Sequence, residues 1–266
     1  MSIDGLSEIA DRVFRVEHAS GQSAHSGIVV GDDAVAVVDT CTFEDDARIL
    51  LDAVASLTEL PIRYVVNTHH HGDHTFGNWL FRPAAIVGHE RARAWLVGDA
   101  GETHREMMGK WMPAAKERMQ TVVVDPPDVT FEERMKLHLG GVTLRLDYFG
   151  RAHTDNDIAI GVEEAGVCFA GDMIGEPLFC EDAFPAEWGP TLRGLEAVPE
   201  ATFASGHDPL VDRAFIGRQA ALAEELAASC AAGTPLEQIV ADASPDMQAV
   251  FGHQLATAVE RYAATV

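Results

Sequence analysis

Four imidazoles and a carboxylate stand within six residues, His69-His70-His71-Gly72-Asp73-His74, directly after the apolar segment Ile62–Asn67. No other feature restricts the fold so tightly. A run like this cannot enter a hydrophobic core unpartnered. It needs a scaffold that ends a buried strand in a loop and aims several side chains at one point, and such loops are where rigid folds place reactive groups. If the segment stays extended, alternate side chains share a side, so His69, His71 and Asp73 converge while His70 points elsewhere. Imidazole with carboxylate is a donor set for zinc, and also for iron or manganese. A solvated loop would tolerate the same residues, and a tag remnant would resemble them, but the run is internal and lies between two apolar segments.

The surrounding pattern is that of a mixed α/β chain. Strands are expected over Arg12–Glu17, Ser26–Val30 and Ala34–Val38, with Gly31-Asp32-Asp33 as a turn. Ala47, Leu50, Leu51, Val54 and Leu57 recur at helical spacing, which predicts a helix over Phe43–Leu57 with Thr42 and Asp45 as a capping pair. After Pro61 comes the buried strand Ile62–Asn67. A short strand, Ala84–Val87, leads into a helical insertion over about 90–119, broken near Gly98–Gly101. Strands return at Thr121–Val124, Met135–Leu139, Val142–Tyr148, Asp157–Val162 and Val167–Ala170. From about 213 to 266 the chain is a helical tail, interrupted at Gly233-Thr234-Pro235 and Ser244-Pro245. This order predicts two α/β halves whose sheets pack face to face with helices outside, in a single domain spanning 1–266.

Four further elements follow the histidine run or precede it in fixed order. Asp39 ends the strand Val35–Val38; Gly150-Arg151-Ala152-His153-Thr154, Phe169-Ala170-Gly171-Asp172 and Ser205-Gly206-His207 come later. Together with His69-x-His71-x-Asp73-His74, they resemble the motif set of the metallo-β-lactamase superfamily: an aspartate, H-x-H-x-D-H, G-x-x-H-T, G-D and G-H. The resemblance extends from about residue 26 to 210. It implies a four-layer αββα sandwich with two bound metals, zinc foremost and iron or manganese as alternatives. His69, His71 and His153 would hold one, Asp73, His74 and His207 the other, and Asp172 would bridge them. Asp39 would orient a ligand. The resemblance further implies a hydrolase in which a hydroxide shared by two cations cleaves an ester, thioester, lactone or amide of a small molecule, with Asp73 and Asp172 as catalytic residues. Alternatives on the same scaffold are a persulfide dioxygenase holding one iron at His69, His153 and Asp172, a biosynthetic cyclase, and a non-catalytic ligand-binding member.

Charge narrows the partners. The formal net charge is −23, from 42 acidic and 19 basic residues, which disfavours nucleic acid, anionic lipid and the family's RNA-processing nucleases. His71 stands where the flavodiiron oxidases carry glutamate, and Gly175 where the lactonases carry tyrosine, three residues beyond the bridging aspartate. Arg213, Arg218 and Arg261 are sparse for the basic helical region that glutathione-thioester hydrolases use. Cys41, Cys168, Cys180 and Cys230 form no C-x-x-C, and Cys168 in an apolar run is expected to be a buried thiol. Neither a signal peptide nor a run of about 18 apolar residues is visible, so a cytoplasmic enzyme outside the membrane, with reduced thiols, is expected.

The remaining histidines, His18, His25, His89, His104, His138 and His253, have no matching partners and are expected to be surface or packed imidazoles, His138 on the exposed face of a strand. Glu163-Glu164 and Gly140-Gly141 fit turns. Met108, Trp111, Met112 and Met119 share one helical face within the insertion, either as a core stripe or as a lid with an adaptable apolar surface. Phe179, Phe184 and Trp188, in the segment Pro177–Pro190, are expected to line a pocket beside the metals.

Overall fold

The computed structural model describes residues 4–266. Two sheets carry the fold. The first holds β1 (Leu6–Ala10), β2 (Val13–Val16), β3 (Ser26–Val30), β4 (Val35–Val38), β5 (Ile62–Val66), β6 (Ala85–His89) and β7 (Val129–Phe131), in that spatial order. It is antiparallel as far as β4 and parallel from β4 to β7. The second holds β8 (Arg134–His138), β9 (Thr143–Tyr148), β10 (Ile158–Val162), β11 (Val167–Gly171), β12 (Thr202–Ser205) and β13 (Val211–Asp212), again in chain order. Only β11 and β12 pair in parallel there.

Side-chain alternation explains the layering. Ala36 and Val38 of β4, with Val66 and Val87, face the second sheet and meet Leu144, Leu146, Ile158, Ile160 and Phe169. The intervening Val35 and Val37 face the other way, onto α1 (Glu44–Leu57) through Ala47, Leu50, Ala53 and Val54. Because both faces are covered, β4 is buried along its whole length and reads in sequence as an unbroken apolar run. The outer face of the second sheet is covered by α6 (Pro185–Glu196), α7 (Arg213–Ala231) and α10 (Leu255–Thr265), packed around Trp188, Leu192, Phe203 and Ile216. The result is the expected four-layer αββα sandwich. Each aliphatic side chain fully buried in these layers contributes about 1.5–3 kcal/mol.

The insertion between β6 and β7 is helical as expected: α3 (Glu90–Leu96), α4 (Asp99–Trp111) and α5 (Lys116–Met119), with Gly98 in the left-handed region at the break. The tail continues past α7 as α8 (Leu236–Asp242), α9 (Pro245–Phe251) and α10. Among the described residues no helix is long and apolar enough to cross a membrane.

Several expectations need correction. Thr121–Val124 forms no strand; Val122 and Val124 pack against the insertion instead, and Pro126-Pro127 remove the amide donors a ladder would need. Helix α1 starts one residue later than expected and takes no side-chain cap; Thr42 donates its hydroxyl to the Gln22 carbonyl. Strands β1, β7, β12 and β13 were not anticipated. Nor was α6, which begins with Pro185 at its first position, where a missing amide costs nothing, and also contains Pro190.

Candidate metal centre

Every functional side chain sits at the carboxyl-terminal edge of the sheets. The loop leaving β5 is fastened by a buried amide pair: Asn67 Nδ2 donates to Asn78 Oδ1 (3.1 Å) and to the His74 carbonyl (3.2 Å), and Asn78 Nδ2 donates back to Asn67 Oδ1 (2.9 Å). Asn67 and Asn78 gave no signal in the sequence, being single amides without a motif.

The histidine run does not stay extended. It turns at Gly72 into one helical turn, α2 (Gly72–Thr75), so His69 and His71 leave the backbone in one direction and Asp73 and His74 in another. Two groups result. One ligand atom each from His69, His71 and His153 lies within 4.8 Å of the others, and the same holds for Asp73, His74, Asp172 and His207. His71 Nδ1 is 2.9 Å from His153 Nε2. His207 Nε2 lies 3.1 Å from Asp73 Oδ2 and 3.2 Å from Asp172 Oδ2, and His74 Nε2 lies 3.4 Å from Asp172 Oδ1. Asp172 also comes within 3.8 Å of His153 Nε2, so it faces both groups. The first sheet's loop supplies His69, His71, Asp73 and His74; loops of the second supply His153, Asp172 and His207.

Glycine permits this approach. Gly171 is left-handed (φ +53°), and a Cβ there would meet Thr68 at 2.7–2.8 Å; a Cβ on Gly206 would run into the Asp172 carboxylate and lie 2.8 Å from the His74 ring.

The far nitrogens are held as well. His74 Nδ1 is 2.8 Å from Asp39 Oδ2, which also accepts from the Thr68 hydroxyl (2.7 Å), while Asp39 Oδ1 accepts from the Thr68 amide (2.8 Å). His69 Nδ1 is 3.1 Å from Thr68 Oγ1, and His153 Nδ1 is 3.1 Å from the Phe179 carbonyl. Asp39 itself takes a left-handed φ of +57°, unusual for a residue with a Cβ, which turns its carboxylate back toward the loop. His71 Nε2 lies 2.9 Å from Asp182 Oδ2. Asp182 is a functional candidate that the sequence concealed, since it stands ten residues beyond Asp172 in a segment without regular structure. His70 points away from the centre, as alternation predicted: it stacks on Trp95 (4.6 Å, 15°), and its Nδ1 is 2.8 Å from Asn156 Nδ2. His104, expected to be surface or packed, is buried and stacks parallel to His71 at 5.9 Å.

The electrostatics are those of a cation site. The Asp172 carboxylate raises His207 to about 10 against the effect of burial. Burial opposes protonation of His74, but Asp172, Asp39 and Asp73 hold it well above the ordinary imidazole range. Burial disfavours charge on Asp172, yet His207 and His74 keep it ionised. Burial and the neighbouring His71 push His153 down to about 4, and burial with His74 pushes His69 down, so both are neutral and able to donate lone pairs. His69 Nε2, His74 Nε2 and Asp172 Oδ1 are buried without any hydrogen-bond partner. Native structures rarely leave such atoms orphaned. Three such atoms among the ligand candidates fit bound divalent cations, and the imidazole-carboxylate donor set suits zinc, iron or manganese.

Above these groups lies a cavity of about 320 Å³, bordered by Asp73, His207 and Gln22 and walled by Met108, Trp111, Met112 and Phe179. Met108 and Met119 also belong to the small core under the insertion, so the Met–Trp face serves both packing and the cavity. Phe179 meets the expectation of a pocket wall. Phe184 and Trp188 do not: Phe184 lies beneath the Arg151 and Arg261 guanidiniums (4.5 and 5.8 Å), and Trp188 is fully buried, donating to the Met173 carbonyl at 2.9 Å. Its size and apolarity drew it into the core beneath His153 instead.

Comparison with known proteins bears on the fold and the family. A curated hydroxyacylglutathione hydrolase from Methylococcus capsulatus is 30% identical over 143 residues, covering 52% of this chain and 45% of that protein, so the chain spans under half of that relative's length. A metallo-beta-lactamase from Pontibacter korlensis superposes with a TM-score of 0.65 at 18% identity, over 82% of this chain and 98% of that one. Another, from Erythrobacter litoralis, gives 0.63 at 22% identity, over 85% and 99%. At such identities these structures speak for the fold. The sequence profile of the metallo-beta-lactamase superfamily matches residues 20–207, most of the chain and every motif from Asp39 to His207, and the chain belongs to that superfamily.

Proposed function

We propose that this chain is a metal-dependent hydrolase that cleaves an ester, thioester, lactone or amide bond of a small molecule. The observation that carries the reading is two neighbouring ligand groups, with Asp172 of the second within 3.8 Å of His153 Nε2 in the first, and three buried ligand atoms without hydrogen-bond partners. Membership of the superfamily and the thioester hydrolase among its relatives support it.

His69, His71 and His153 would hold one cation, and Asp73, His74 and His207 the second, with Asp172 between them; zinc is the metal we expect. When bound, such a pair polarises a carbonyl and lowers the pKa of water toward neutrality. The chain's own residues do the rest. Asp39 and Thr68 fix the tautomers of His74 and His69, and the Phe179 carbonyl does the same for His153. Asp73 borders the cavity and is placed to orient the attacking water. The apolar wall gives one side of the cavity a surface on which the uncharged part of a substrate can lie. No serine or cysteine nucleophile is required. Cys41, the thiol that contacts an imidazole (His18 Nε2, 3.1 Å), is buried, and burial raises its pKa far above neutrality. A single-iron dioxygenase would leave the Asp73–His74–His207 group without employment.

The test is metal content in protein purified without added metal, followed by a panel of esters, thioesters, lactones and β-lactams. About two divalent ions per chain are expected, with turnover in the panel and loss of both in Asp172→Ala. About one iron per chain would favour the dioxygenase. Full metal and full turnover in Asp172→Ala, or no uptake even after reconstitution, would overturn the assignment.

A further inference from the structure

The relatives leave open what the substrate looks like, and the cavity wall narrows it. Four side chains on the wall, Met108, Trp111, Met112 and Phe179, carry no charge, and none of the described residues bordering the cavity is lysine or arginine. Arg118, which reaches the lining residue Gln22 through its Oε1 (3.3 Å), is engaged: it also donates to Asp45 Oδ2 (3.0 Å) and lies over the Phe43 ring at 4.0 Å. Arg261 is spent on the carbonyls of Asp182 and Ala183. A carboxylate or phosphate at the far end of an acyl chain, seated on this wall away from the metal ligands, would therefore meet no lysine or arginine among the described lining residues.

The wall is also adaptable. Trp111 meets Phe179 edge to face at 5.2 Å and His71 at 5.6 Å, forming an aromatic corner beside the first ligand group. The two methionines beside it are unbranched and fit their shape to varied apolar partners. A cavity of about 320 Å³ that also adjoins the ligand groups leaves room for a chain of several methylene groups along this wall.

On the hydrolase reading above, we infer that the substrate carries an uncharged, apolar acyl chain of medium length, which lies on Met108, Trp111, Met112 and Phe179. Recognition is by apolar contact and not by an ion pair.

The test uses the metal-loaded chain and two matched probe series. One is the neutral N-acetylcysteamine thioesters from acetyl to decanoyl; the other is the same acyl chains ending in a carboxylate. In the neutral series kcat/KM is expected to rise about fourfold per methylene and to level off near roughly eight carbons, when the cavity is full. The carboxylated members should be slower by about tenfold or more. Trp111→Ala should flatten the chain-length slope. Met112→Lys should reverse the preference by favouring the carboxylated chains, a gain that a merely unfolded variant cannot give. A flat slope with turnover, carboxylated chains equal to or faster than neutral ones, or a slope unchanged in both variants would overturn the inference while leaving the hydrolase intact. A fully loaded protein that turns over no thioester, ester, lactone or amide, β-lactams included, would refute the hydrolase reading itself and the inference with it.

Discussion

Asp182 offers a sharp test of how the centre is held. Its Oδ2 lies 2.9 Å from His71 Nε2 and 3.9 Å from His70 Nε2, and its side chain is only 20% exposed. Burial opposes its charge, but the adjoining His71 imidazole holds the carboxyl well below its usual range. With Asp182 accepting from Nε2–H, His71 is left with its Nδ1 lone pair toward His153 and the first cation. Replacing Asp182 by alanine leaves a buried N–H without an acceptor and weakens Nδ1 as a ligand. A charge-assisted hydrogen bond of this kind is worth about 1.5–3 kcal/mol. Loss of a residue that orients a ligand costs about 10–100-fold in metal affinity, or about 1.4–2.8 kcal/mol, so the two scales agree. We expect Asp182→Ala near the upper end and Asp182→Asn, which can still accept through its amide oxygen, near the lower. Competition against a graded chelator should show one cation released early and the other unaffected, because Asp182 touches only the His69–His71–His153 group. Thermal unfolding of the metal-free variants controls for folding. Affinities within twofold of wild type for both cations, or an equal fall at both, would refute the reasoning.

Three further outcomes follow from the geometry. Metal-free protein at neutral pH carries protons on His74, held well above its ordinary range, and on His207, raised to about 10, and Asp182 raises His71 against burial as well, so uptake should release at least about two protons. Affinity should then rise with pH by about tenfold per unit for each proton displaced, readable by calorimetry in buffers of different ionisation enthalpy; pH-independent binding would contradict it. Trp188→Ala removes a fully buried ring and should cost about 3–5 kcal/mol of stability in the metal-free state, whereas a change in KM with unaltered unfolding would return Trp188 to the pocket. Gly206→Ala drives a Cβ against Asp172 and His74 and should weaken metal binding by about tenfold or more; unchanged occupancy under chelator challenge would show that the loop yields.

The seven ligand candidates and Asp39 were legible because their chemistry is local: short motifs at strand ends, those of the ligand candidates each containing a glycine. The four layers were legible too, since β4 and β5 announce themselves as apolar runs and α1 by its spacing. What escaped depends on contacts distant in sequence. Asp182 becomes important only because its loop is folded onto His71, 111 residues away. That loop is fastened by the tail: Leu178 N donates to the Val250 carbonyl, Cys180 N to Gln254 Oε1, and Arg261 to the Asp182 and Ala183 carbonyls. Trp188 was misplaced for the opposite reason. Proximity to Asp172 in sequence suggested the pocket, but Pro185 opens a helix that turns the indole inward. Strand β7, three residues long, and the irregular edge at β1 carry too little periodicity to be seen.

The division of ligands between the sheets has a consequence for quality control in the cell. Four donors belong to one half of the sandwich and three to the other, so neither half alone can chelate a metal pair. A lesion at the buried seam, at Leu144 or Phe169 for instance, would displace one set of donors against the other while both sheets remain hydrogen-bonded. Activity would vanish before secondary structure did. The centre thus behaves as a gauge of assembly, reporting whether two halves have docked to within the tolerance of a coordination bond.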